Sequence, residues 1–163
     1  MGANNQINNS APLNLDGGTF AKGNFSEGAI NAVGLGALTL TAANSHIDFG
    51  TGTVGVLSFA SFDPGINLDQ IIIDNWTGVG NLVGSAATDR LIFHSNQSAN
   101  LAYFSFTGFA DGATQFQLGG GYYEVVPLTA VPEPATYVAG ALAIIALGAH
   151  QRRRWQAKRR TQS

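Results

Sequence analysis

The sequence predicts an all-β exported body followed by a single C-terminal transmembrane α-helix. Three observations predict it: short runs that alternate apolar and polar residues between glycine-rich turns, a charged fraction of only 11%, and one uncharged apolar stretch near the C-terminus. At 163 residues the chain holds one compact domain and a small appendage. Glycine supplies 21 residues, well above an average usage of about 7%. The absence of cysteine removes disulfide frameworks, thiol catalysis and zinc-thiolate sites.

From the N-terminus, Met1 to Ser10 contains neither the basic nor the apolar region of a secretion signal, and Gln6 stands where a myristoylation site needs Ser or Thr. The expectation is a C-terminal piece of a longer exported protein. Strand-like runs then recur: Leu38-Thr-Leu-Thr41, His46-Ile-Asp-Phe49, Val56-Leu-Ser-Phe59, Gln70 to Asp74, Leu91-Ile-Phe93, Leu101 to Phe106, Gln115 to Leu118 and Tyr122 to Val126. Gly, Asn and Asp-Pro interrupt them, as turn residues do. No stretch before Ala135 holds a 3.6-residue period over three turns. The spacing fits a parallel β-helix, as the end coils of a solenoid, or alternatively a β-sandwich. The Gly/Asn/Thr bias, the low charge and the absence of Asn-Gly hairpin turns favour the solenoid.

Residues 1–127 form this exported β-rich region and residues 128–134 a proline-rich linker. There Val131-Pro132-Glu133-Pro134 places two prolines one residue apart, which keeps the backbone extended and accessible to a protease. Residues 135–151 are the predicted membrane helix and 152–163 a basic cytoplasmic tail. Ala135 to Ala149 is uncharged and spans about 22 Å as a helix, short for a hydrocarbon core of about 30 Å. Tyr137 and Trp155 at its two ends, and arginines that can snorkel, extend the span. All ten acids and only Lys22 and Arg90 precede Ala135, a net −8, whereas Arg152, Arg153, Arg154, Lys158, Arg159 and Arg160 follow it. The positive-inside rule puts those six in the cytoplasm and the acidic body outside.

Val131-Pro132-Glu133-Pro134, Ala135 to Ala149 and Arg152-Arg153-Arg154, in that order, resemble the PEP-CTERM sorting signal of bacterial surface proteins. The resemblance implies export through the inner membrane, recognition at Pro132-Glu133-Pro134 by a membrane-embedded exosortase, and removal of the helix with its basic tail. The mature form would be at the cell surface or released. A second likeness covers the body. Leu13 to Thr19 and Gly34 to Thr41 are similar to repeats associated with autotransporter passengers. Ser45 to Gly50, Ile73 to Gly78, Asp89 to Phe93, Phe106 to Phe109 and Tyr123 to Pro127 are similar to the last coils of large PEP-CTERM proteins. This likeness implies a parallel β-helix that ends in a cap.

Candidate chemistry is sparse. Gly50-Thr-Gly-Thr-Val-Gly55 matches a dinucleotide-binding pattern, but a strand-like segment follows it where a helix is required. His46 and Asp48 share one strand face, with no nucleophile motif beside them. Asp63, Asn67 and Asp69 lack the spacing of a calcium loop. Trp76, Tyr103, Tyr122 and Tyr123 are candidates for a sugar-stacking face. The basic tail, lying beside an apolar helix, serves topology and anionic lipid rather than nucleic acid. No catalytic or metal residue and no cofactor is expected. The expected function is a non-enzymatic, stalk- or adhesin-like envelope protein whose partners are the membrane and an exosortase. The rivals are a module that retains exopolysaccharide, an enzyme on surface polymers whose active site lies outside this chain, and an uncut single-span protein.

Overall fold

Eight strands make up the described body in a computed structural model that covers residues 3–66 and 69–129. They are β1 (Leu13–Ala21), β2 (Leu35–Asp48), β3 (Val56–Asp63), β4 (Ile71–Asp74), β5 (Arg90–Phe93), β6 (Phe104–Phe106), β7 (Ala113–Gly119) and β8 (Tyr122–Pro127). The chain divides into Met1–Ala130 and Val131–Ser163, and the strands belong to the first unit. The sorting motif Val131, Pro132, Glu133 and Pro134, the apolar run 135–151 and the cluster Arg152, Arg153 and Arg154 lie outside the described residues. Among the described residues no helix is long and apolar enough to cross a membrane.

All eight strands join one curled, mixed sheet. Its path runs β6-β4-β2-β3-β5-β8-β7, and β1 pairs with β2 off that path. Five pairings are parallel: β1 with β2, β2 with β3, β2 with β4, β3 with β5, and β4 with β6. Their register stacks like on like. Phe20 pairs with Ile47, Ile47 with Ile73 and Ile73 with Phe106. In the same way Leu35 lies beside Phe59 and Phe59 beside Phe93. Side chains on a strand alternate between faces, so one in-register row delivers one apolar stripe to the interior. The stripes meet in a single core whose aromatic centre is Phe59, Phe62, Phe93 and Phe104; the Phe62 and Phe104 rings are 4.9 Å apart.

Corners occur where the backbone visits the left-handed region. The fourteen-residue β2 turns at Asn44, with φ of 55°, and Gly17 and Gly18 in β1, with φ of 75° and 94°, stand beside that bend. Asn tolerates this conformation and Gly adopts it freely, so the chain changes direction without leaving the ladder. At the other end β8 lies antiparallel on β5, and β7 lies antiparallel on β8. The β7–β8 turn is made by Gly120 and Gly121, with φ of 59° and 83°.

Two readings of the sequence are corrected, and one strand is added to them. Leu38–Thr41 and His46–Phe49 are not separate strands, because β2 runs continuously from one to the other. Leu101 to Tyr103 is a 3-10 turn, and the strand starts only at Phe104. Leu13 to Thr19 is part of a strand, although Gly17-Gly18 conceals it.

Candidate functional site

The loop Gly50 to Gly55 joins β2 to β3, and β3 extends directly from it. Three of its amides are engaged by side chains of the body. Gly50 N–H donates to Asp48 Oδ1 at 2.7 Å, Thr53 N–H to Asn24 Oδ1 at 3.0 Å, and Gly55 N–H to Asp89 Oδ1 at 2.8 Å. A phosphate cradle needs amides converging at a helix start, and a strand follows this loop instead.

What the loop encloses is an internal ion pair. Lys22 is fully buried; its Nζ donates to the carbonyls of Gly23 and Thr53, each at 3.0 Å, and lies 3.4 Å from Asp89 Oδ1. The ammonium also sits 5.7 Å from the centre of the Phe49 ring. Asp89 Oδ2 accepts the Thr77 hydroxyl at 2.7 Å. Two carbonyls and a carboxylate oxygen thus surround the ammonium within 3.4 Å, which offsets the loss of water around a buried cation.

The next residue forms a second pair. Arg90 Nε and Nη2 donate to Glu124 Oε1 and Oε2 at 3.0 and 2.6 Å, a two-point contact across β5 and β8. Glu124 Oε2 also accepts Gly84 N–H at 3.1 Å. Lys22 and Arg90 are the only Lys or Arg before residue 135, and both are buried in pairs. The outer charges among the described residues, histidines aside, are therefore carboxylates such as Asp16, Asp63 and Asp111. Neither pair was singled out by sequence reasoning. The scarcity of cations in an acidic segment was the signal that could have found them.

His46 does not use Asp48. Its Nδ1 lies 2.7 Å from Asp74 Oδ2 on the neighbouring β4, and Asp74 Oδ1 accepts the Thr107 hydroxyl at 2.6 Å. Asp48 instead accepts the Gly50 amide and Asn75 Nδ2. Ser45, on the opposite face, is buried; its hydroxyl donates to the Ala42 carbonyl and accepts Gly17 N–H. No nucleophile is set against the imidazole by these contacts. Asp63 caps its own turn by accepting Gly65 N–H at 2.9 Å, and Asn67 lies outside the described residues. Among the described residues no three His, Asp or Glu side chains converge as metal ligands.

The four aromatic candidates part company. Trp76 is buried edge-on against Phe106 and Phe109, and Tyr103 packs against Phe62. Tyr122 is partly exposed and stacks on His94 at 4.3 Å; Tyr123 pairs with Phe93 in the β5–β8 ladder. A groove of about 470 Å3 lies between the turns at Gly28–Ile30 and Ser85–Thr88, with Val54 and Val56 also in its lining. The guanidinium of Arg90, which borders it, is committed to Glu124. Comparison of the chain with protein-family models, curated proteins and solved structures returns no match.

Proposed function

We propose that this chain is the membrane-proximal end of a non-enzymatic bacterial envelope protein, a stalk or adhesin-like element processed at its C-terminal sorting signal. The observation that carries this reading is the order of Pro132-Glu133-Pro134, an uncharged apolar run and Arg152-Arg153-Arg154. The body in front of it supports a structural role, because its buried lysine and arginine are consumed in internal pairs, its buried Glu27 accepts the backbone N–H groups of Gln6 and Ile7, and side chains of the body hold its Gly-rich loop. In this reading an exosortase cuts at the motif, the helix is a transit anchor, and the product stays at the surface or is released. The finer fold proposal is the last coils of a parallel β-solenoid. Its support is the repeated parallel register through Leu13, Leu38 and Phe62, and through Ser45, Ile71 and Phe104, ended by the antiparallel β8.

Replacing Pro132-Glu133-Pro134 by three alanines tests the processing step. Intact mass and membrane fractionation in the native host should show wild-type product ending near Pro134 and the variant retained at full length. Identical processing of both overturns the reading, and a full-length wild type in the membrane makes the chain an uncut single-span protein. The rival reading as an exopolysaccharide-retaining module rests on the Tyr122–His94 stack. It predicts glycan-array binding that Tyr122→Ala abolishes.

A further inference from the structure

The β4–β5 loop from Asn75 to Thr88 has no charged residue. It exposes three aliphatic side chains: Val79 at 63%, Leu82 at 57% and Val83 at 47%. Isolated exposed aliphatics are ordinary, but three within five residues on an uncharged loop form a patch. The loop is also fastened. Asn81 N–H donates to the Pro127 carbonyl at 2.9 Å, Gly84 N–H to Glu124, and Thr77 and Asp89 close its base. Gly80 lies so near the Leu128 carbonyl that a Cβ there would clash with it. The patch is thus stitched to the last turn of chain before the sorting segment. Only five residues separate Thr129 from Ala135, six steps of backbone that reach at most about 22 Å when fully extended.

We infer that Val79, Leu82 and Val83 form a lipid-contacting surface that rests on the bilayer while the C-terminal anchor is in place. The inference depends on the anchoring part of the proposed function. Charge is compatible with the same contact. Asp16 and Asp63 are exposed on β1 and at the end of β3, and an anionic leaflet repels such acids, whereas the 75–88 segment adds no charge of its own to the approach; the exposed Asp111, whose neighbour Ala110 donates its N–H to the Thr129 carbonyl, is the acid beside the same last turn. A short tether raises the effective concentration of the patch at the membrane, so weak aliphatic insertion is enough for occupancy.

The chain has no native cysteine, so single-site labelling is clean. Full-length Leu82→Cys, and separately Asn14→Cys on the exposed side of β1, are labelled with an environment-sensitive nitrobenzoxadiazole dye. Each is reconstituted in phosphatidylethanolamine/phosphatidylglycerol vesicles that carry doxyl lipids. The expected result is a blue-shifted emission at position 82, quenched severalfold more by doxyl lipid than at position 14. Val79→Cys should reproduce it and guards against a local folding defect. Equal, weak quenching at 82 and 14 in protein that floats with vesicles after carbonate washing overturns the lipid contact and leaves the anchor intact. Protein that fails to float overturns the anchoring reading itself. Emission at 82 that falls with protein density but not with doxyl lipid assigns the patch to a second copy of the chain and overturns the lipid contact.

Discussion

Asp89 and Arg90 are adjacent, yet they bind segments 102 residues apart in the chain: Asp89 holds Lys22 in the turn after β1, and Arg90 holds Glu124 in β8. Desolvating an ion pair consumes much of its Coulomb attraction, so such pairs add little net stability, but breaking one strands its partner without water. Arg90→Met should therefore cost about 3–5 kcal/mol, because the Glu124 carboxylate would remain buried with only the Gly84 amide against it. The double variant Arg90→Met with Glu124→Leu should regain part of that loss in urea unfolding, since no charge is left buried in the pair. Losses that simply add would show that the two side chains are not coupled.

At the level of elements, the connection between β1 and β2 folds back on itself so tightly that some positions exclude any side chain. A Cβ on Gly34, just ahead of β2, would stand 2.0 Å from the Glu27 carbonyl carbon and 2.1 Å from the Gly28 amide nitrogen. Both are main-chain atoms and cannot rotate away. Gly34→Ala should lower stability by about 1–3 kcal/mol or more, seen as a lower urea midpoint with the slope preserved, whereas Gly108→Ala meets no neighbour and carries only the strain of its φ of 86°. An unchanged midpoint for Gly34→Ala would contradict the packing described. Several elements were legible in the sequence because their pattern is local: His46 to Phe49 alternates with period two, Gln70 to Asp74 is a short β-branched run, and Gly or Asn punctuates them. Strand β1 was approached only through the likeness of Leu13 to Thr19 to passenger repeats, because Gly17-Gly18 interrupts its alternation although the ladder with β2 resumes past it. Partner choice was less legible still. The register that sets Ile47 beside Ile73, or His46 near Asp74, is decided by core packing between distant segments, and the period of two is the same for parallel and antiparallel neighbours. Likewise, nothing near Trp76 in sequence announces that Phe106 and Phe109 cover its ring.

Across the body as a whole, the pairing pattern sets a gradient of protection. Strand β5 lies between β3 and β8, and all four of its side chains are buried. Strand β2 is flanked by β1, β3 and β4. Strand β1 has β2 alone as its partner among the described strands, and most of its side chains are exposed. Amide protons escape through local opening where few buried contacts resist it, and through global unfolding where many do. Native-state hydrogen exchange should therefore be slowest in β5 and the facing residues of β8, intermediate in β2, and fastest in β1. Arg90→Met should raise the rate in β5 and β8 before it raises the rate in β1, because the lost contact joins those two strands directly. Uniform exchange from β1 to β8 would mean that the stack opens only as one cooperative unit, and that the antiparallel β7–β8 hairpin adds no local protection to the end of the sheet it covers.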